Sequence, residues 1–155
     1  MAVADVELVI DFLNTVDVEV GTDVLDDSAG WATWLADRDL RPDDRARAVR
    51  GALRTAVGEP GPTAPALSAE VRVELAGGTP TVVAQDVVGA VLAAAARLAV
   101  LGEWDRIKVC PADDCRWAFF DRSRNHSRAW CSMRVCGNRE KARAWRERAR
   151  TNAEP

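Results

Sequence analysis

The sequence predicts a mainly helical α+β protein. A helical N-terminal domain with a small β-hairpin is expected over residues 1–105, followed by a small C-terminal module over residues 106–155. Three observations predict it. Apolar residues recur at helical spacing through much of the first hundred positions. Gly77-Gly78 interrupts two stretches that alternate apolar and polar, a hairpin signal. All four cysteines, Cys110, Cys115, Cys131 and Cys136, fall in the last third.

Leu8, Val9, Phe12, Leu13 and Val16 predict a first helix over residues 5–17 with one buried stripe. Asp11, Asn14 and Thr15 share another of its faces. Such a set caps a neighbour or pairs with an arginine of the C-terminal module, or else binds a small polar ligand. Asp11, beside Phe12 on a helix that must pack, is expected to be partly buried and bonded to an arginine or to backbone. GWATWLADRDL (30–40) reads as a second helix with Trp31, Trp34 and Leu35 inward. DDRARAVRGALRTAV (43–57) reads as a third, opened by acidic residues that suit the positive end of a helix. A Pro-rich loop (59–68) and the Gly77-Gly78 hairpin follow. VVGAVLAAAARLAVLG is too apolar all round for a surface helix. IKVC then leads as a short strand into the first cysteine.

The chain has 155 residues, 48% of them hydrophobic, enough for one core and an appended module. Its start is acidic and has no basic n-region, so no signal peptide is expected. The longest apolar stretch (87–101) is broken by Arg97 and falls short of the ~20 residues a membrane crossing needs. A soluble cytoplasmic protein is expected. The net charge of −3 divides unevenly: residues 1–100 carry 16 acidic and 8 basic residues, residues 101–155 carry 8 and 13. An acidic body with a basic tail suggests a tail that meets an anion, or one that docks on the body.

The cysteines follow the pattern C-x4-C-x15-C-x4-C. In a reduced compartment paired cysteines serve more often as metal ligands than as disulfides. Two pairs of thiolates supply a closed tetrahedral site for one structural Zn²⁺. Between the pairs, WAFFD and RAWC flank a polar turn, so a β-hairpin across the spacer is expected. Gly137 permits a positive φ, and Asn138 suits the N-cap of the helix that follows. Knuckle, hairpin and helix together make a treble-clef-like zinc module. His126, near the tip of the turn, is not needed as a ligand.

In that helix Arg139, Arg143, Arg146 and Arg150 fall on one stripe, with Ala142, Trp145 and Ala149 on a neighbouring apolar one. The helix is expected to pack through Trp145 and to show arginines to one side. Arg122, Arg124 and Arg128 add charge at the turn. Clustered arginines on a zinc module match a phosphate-contacting surface, and equally a solvated or self-docked face. Arg139 stands closest to the metal and is expected to turn toward the thiolates. Most of the aromatic residues here are expected to form the module's own small core.

CPADDCRWAFFDRSRNHSRAWCSMRVCGNR closely resembles the CGNR zinc finger, a bacterial module named for the motif at Cys136-Gly137-Asn138-Arg139. In that family the finger follows an ABATE domain, which ELVIDFLNTVD (7–17) resembles. The resemblance implies an ABATE-like domain over 1–105, a CGNR finger over 106–155, and a stress-induced transcription regulator that binds DNA. DNA is the implied partner, with a homo-oligomer or a protein partner as further possibilities. No Gly-rich phosphate loop, H-E-x-x-H or G-x-S-x-G occurs, so no enzyme is expected. The alternative is a protein-interaction module whose finger docks on the acidic body or on a partner.

Overall fold

A computed structural model describes residues 3–63 and 65–151. The last residues of the expected C-terminal module, 152–155, lie outside the described residues. Helix α1 spans Val3–Leu13 and buries Val6, Val9, Phe12 and Leu13. It ends earlier than expected, because Asn14 and Thr15 leave the helix to serve other segments. Val16 belongs to a two-residue strand, β1 (Val16–Asp17), paired with β2 (Thr22–Asp23).

Helix α2 (Ser28–Ala36) is capped by the Asp27 side chain, which accepts from the Ala29 N–H. Leu35 is its buried residue. Trp31 and Trp34 stack with ring centroids 5.1 Å apart and pack at the edge of the core. Helix α3 (Ala46–Ala56) buries Val49 and Leu53, and also Arg50 and Arg54. Helix α4 (Val87–Val100) is capped by Asp86, which accepts from the Gly89 N–H, and packs along α1. Its Val87, Val88, Val91 and Leu98 are fully buried. The apolar run is not buried all round, however, since Val100 and Leu101 at its end are exposed.

The hairpin forms where the glycines predict it. Strands β3 (Arg72–Ala76) and β4 (Thr79–Val83) pair antiparallel around Gly77 and Gly78. Both glycines have positive φ, +58° and +83°, as a type I′ turn requires. In the C-terminal part, β5 (Ile107–Val109) pairs antiparallel with β6 (Ala118–Phe120), and α5 (Asn138–Thr151) follows. Ile107, Val109 and Ala118 join the same core as α1, α3 and α4.

Buried arginines of α3 organise this core. Arg50 grips Asp23 through both of its terminal nitrogens, at 2.7 and 2.5 Å, and donates to the Thr15 hydroxyl at 2.9 Å. The Arg50 hydrogen bonds, above all, hold the Asp23 carboxyl near 2, against an ordinary 3.8. A carboxyl whose folded value lies below its unfolded one stabilises the fold above the unfolded value. That stability is lost as pH falls through the folded value. The parent should therefore lose on the order of 1–2 kcal/mol more than Asp23→Asn between about pH 4 and pH 2. Denaturant titrations of both proteins across that window measure the difference.

Candidate metal centre

The first pair of cysteines is held in the bend between β5 and β6. The Cys110 N–H donates to the Trp117 carbonyl, and the Cys115 and Arg116 N–H groups donate to that of Ala112. Arg116 takes φ of +54°, a left-handed turn that costs a residue with a Cβ. The second pair is held by one turn of π-helix, Met133–Gly137, which runs directly into α5. Ser132 caps that turn by accepting from the Val135 N–H.

The four sulfurs lie within 4.8 Å of one another. Cys131 Sγ is 3.5 Å from the Sγ atoms of both Cys115 and Cys136. Tetrahedral ligands on zinc, each at about 2.3 Å, stand roughly 3.8 Å apart, so the cluster fits one structural Zn²⁺. Cys110, Cys115 and Cys136 are buried with Ala112 and Phe119, and Trp130 and the partly buried Cys131 pack against them. Burial pushes the Cys115 thiol up to about 11 and raises that of Cys131 as well. At Cys110 burial also opposes ionisation, but backbone groups of Cys131 and Ala112 and the neighbouring thiols outweigh it and lower the value. Four crowded sulfurs thus compete for protons, and a divalent cation displaces those protons on binding.

Several expectations are corrected. No hairpin spans the cysteine spacer. Phe119 and Phe120 pair back onto Lys108 and Ile107, and the chain then bends at Asp121. This carboxylate, with no exposed surface, accepts from Lys108 Nζ at 2.7 Å and from the N–H groups of Ser123 and Arg128. Burial opposes its charge, but Lys108 and the donors from Ser123 and Arg128 hold it well below the usual carboxylate range. Lys108 also donates to the carbonyls of His126 and Arg128, so the segment is an irregular loop wrapped round one ion pair.

Arg128, expected at a nucleic-acid surface, turns inward instead. It donates to the carbonyls of Trp130 and Cys131 and lies 5.0 Å over the Phe119 ring. Asn138 is not an N-cap. It already has helical φ and ψ, and its amide donates back to the Arg134 carbonyl. Gly137 is not in the left-handed region; a Cβ there would come within 3.3 Å of the Trp130 ring and 2.9 Å of the Met133 sulfur. Trp145 joins neither buried core cluster of the described residues and is 66% exposed. Asp11 pairs with Arg38 at 2.8 Å with its side chain half exposed, Arg38 reaching out to it across the Trp34 ring.

Arg139 turns toward the metal site. It donates to Cys136 Sγ at 3.6 Å and bridges Glu19 and Asp114, at 3.3 and 3.4 Å. Arg143 is engaged by Asp114 and Glu140. Arg122, Arg124, Arg146 and Arg150 are exposed. His126 is exposed as well, and stands outside the sulfur cluster.

Sequence reasoning left the role of Asn14 open and missed that of Arg54. The Asn14 amide donates to the Ala118 carbonyl at 2.9 Å and accepts from the Ala118 N–H at 2.8 Å. It acts as one residue of a neighbouring strand and closes the free edge of β6. Arg54, 3% exposed, donates to the carbonyls of Leu13 and Arg116 and is neutralised by Glu59. The only local signal for Arg54 was a charged residue beside Arg50 on the buried side of α3, and Asn14, off the buried stripe of α1, gave none.

Metal analysis should find about one zinc per chain, released on acidification because protons compete for the thiolates. Changing any one cysteine to Ser should abolish retention. Arg139→Ala should loosen the metal several-fold against a chelator, as loss of a ligand's supporting hydrogen bond does. Asn14→Ala should cost about 1–3 kcal/mol, and Arg54→Met about 3 kcal/mol or more, because each leaves buried backbone unpaired. Denaturation of the zinc-loaded proteins reads both values.

No curated protein matches the chain. The family model of the CGNR zinc finger matches residues 106–149, a segment that begins at β5, contains all four clustered cysteines and ends within α5. The match supports the CGNR zinc finger family for this metal-binding part of the chain.

Proposed function

We propose that this chain is a cytoplasmic, non-enzymatic transcription regulator of the stress-response kind, which binds DNA through α5 with help from Arg122 and Arg124. One observation carries the reading. Helix α5 has fourteen residues and buries none of them. It bears six basic residues against two acidic ones. A helix with no packed face gains nothing from the core, so its charge is free to serve a polyanion. Arg146 and Arg150 line a shallow groove of about 180 Å³ with Arg143 and Glu147. Among the described residues neither they nor Lys141 and Arg148 enter an ion pair. An exposed helix of this length reaches into a major groove, and its arginines contact phosphate on either side.

A second reading rests on Trp145. Its exposed ring, with Met133 and Val135 exposed at the start of the same helical run, suits a protein partner that covers α5. Salt separates the two readings. Affinity for mixed-sequence duplex should fall steeply with salt, and Arg146→Ala and Arg150→Ala should each lower the slope by about one unit while melting and zinc content stay unchanged. A parent that binds no duplex above background at low salt sends α5 to the protein-partner reading.

A further inference from the structure

Alternate residues of a strand share a face, and so do residues directly opposite one another across a hairpin. Val73 faces Val82 and Leu75 faces Pro80, so one side of the β3–β4 hairpin is wholly apolar. Every residue of β3 is nonetheless exposed. That apolar side continues onto α4: Val71 and Val82 line a cleft of about 440 Å³ with Ala93, Ala96, Val100 and Leu101, and only the Asp5–Arg97 ion pair breaks its apolar lining. Val73, Leu75 and Val100 are 71, 74 and 88% exposed, values far above those of a packed aliphatic residue. A two-stranded hairpin is marginal in water unless its apolar face is covered.

We propose that this face is the interface of a two-fold homodimer, in which a second copy of the chain packs its hairpin and α4 end onto the first. Three arguments choose the second copy. The first is charge. Residues 1–100 carry 16 acidic residues against 8 basic, so two bodies repel across most of their surfaces. The hairpin face bears no net charge, since Asp5 and Arg97 neutralise each other at 2.5 Å, and self-association there meets no such repulsion. The second is area. Val73, Leu75, Val82, Val100 and Leu101 together expose on the order of 500 Å² of apolar surface, the greater part of the ~800 Å² per partner that a standard interface buries. The third is closure. An apolar patch that complements itself forms an isologous pair and stops there. Pro80 lacks an N–H and blunts the β4 edge against further strand addition.

Sedimentation or light scattering of the zinc-loaded full chain, from about 1 to 100 µM, should give about twice the 16.9 kDa chain mass at the upper end. Leu75→Asp and Val100→Glu sit on different elements and both side chains are exposed, so each should fold and bind zinc like the parent. Each should weaken dimerisation at least tenfold and leave the monomer mass. A parent that stays monomeric at 100 µM overturns the proposal, and so does a monomer that takes up one equivalent of a fluorescent fatty acid in this cleft. A dimer whose dissociation constant neither substitution changes overturns it too.

Discussion

One buried guanidinium, that of Arg54, decides how the two ends of the chain meet. It sits on α3 and reaches a carbonyl at the end of α1 and another in the cysteine-bearing bend, while Glu59 balances its charge. An arginine without solvent is tolerated only when its donors are spoken for and a counter-charge is close. Those demands fix three backbone segments relative to one another. The Asn14 amide works beside it, lending β6 the hydrogen bonds of a strand that is not there. The metal-binding part is therefore built onto the body. Val109 donates to the Val57 carbonyl at the end of α3, and Ala118 is buried in the common core.

The metal centre inherits that arrangement. Cys110 and Cys115 stand on a bend anchored to the body, whereas Cys136 lies in the turn that opens α5 and Cys131 just ahead of its cap, Ser132. A tetrahedral ion holding all four sulfurs joins the anchored half to the helix. The helix has no buried residue of its own, so its direction depends on the metal and on the Arg139 bridge to Glu19 and Asp114. A metal held by the four sulfurs would therefore fix the placement of the helix as it binds. The irregular loop between the cysteine pairs is held by the Asp121–Lys108 pair, and a metal on the four sulfurs would close it further.

What the sequence disclosed was local. Four cysteines with symmetric spacing state their ligand role without any knowledge of the fold. Gly77-Gly78 states its turn because a type I′ geometry needs positive φ at both positions. The pairing of Phe119 and Phe120 was misread because aromatic runs on either side of a polar turn satisfy the hairpin rule whichever strand they join. What overruled it was Asp121, whose buried charge depends on Lys108, thirteen positions earlier. Asn14 and Arg54 were illegible for the same reason, as their partners are backbone groups that composition does not mark. Trp145 was misjudged because a tryptophan on a helix is normally a core residue, whereas among the described residues no buried cluster includes it.

The arginine stripe of α5 looks uniform in sequence and is divided in space. Arg139 and Arg143 begin the helix within reach of Glu19, Asp114 and Glu140, and their charge goes into holding the helix against the metal site. One turn further on those carboxylates are out of reach, and Arg146 and Arg150 keep their charge for solvent or a ligand. The division follows from geometry: a helix rises 1.5 Å per residue, so seven residues carry a side chain about 10 Å away from the anchoring cluster. That distance is close to a Debye length at physiological salt, beyond which the acidic body no longer neutralises the helix tip. A short helix fixed at one end by metal and arginine therefore delivers basic charge outward from a protein whose net charge is negative.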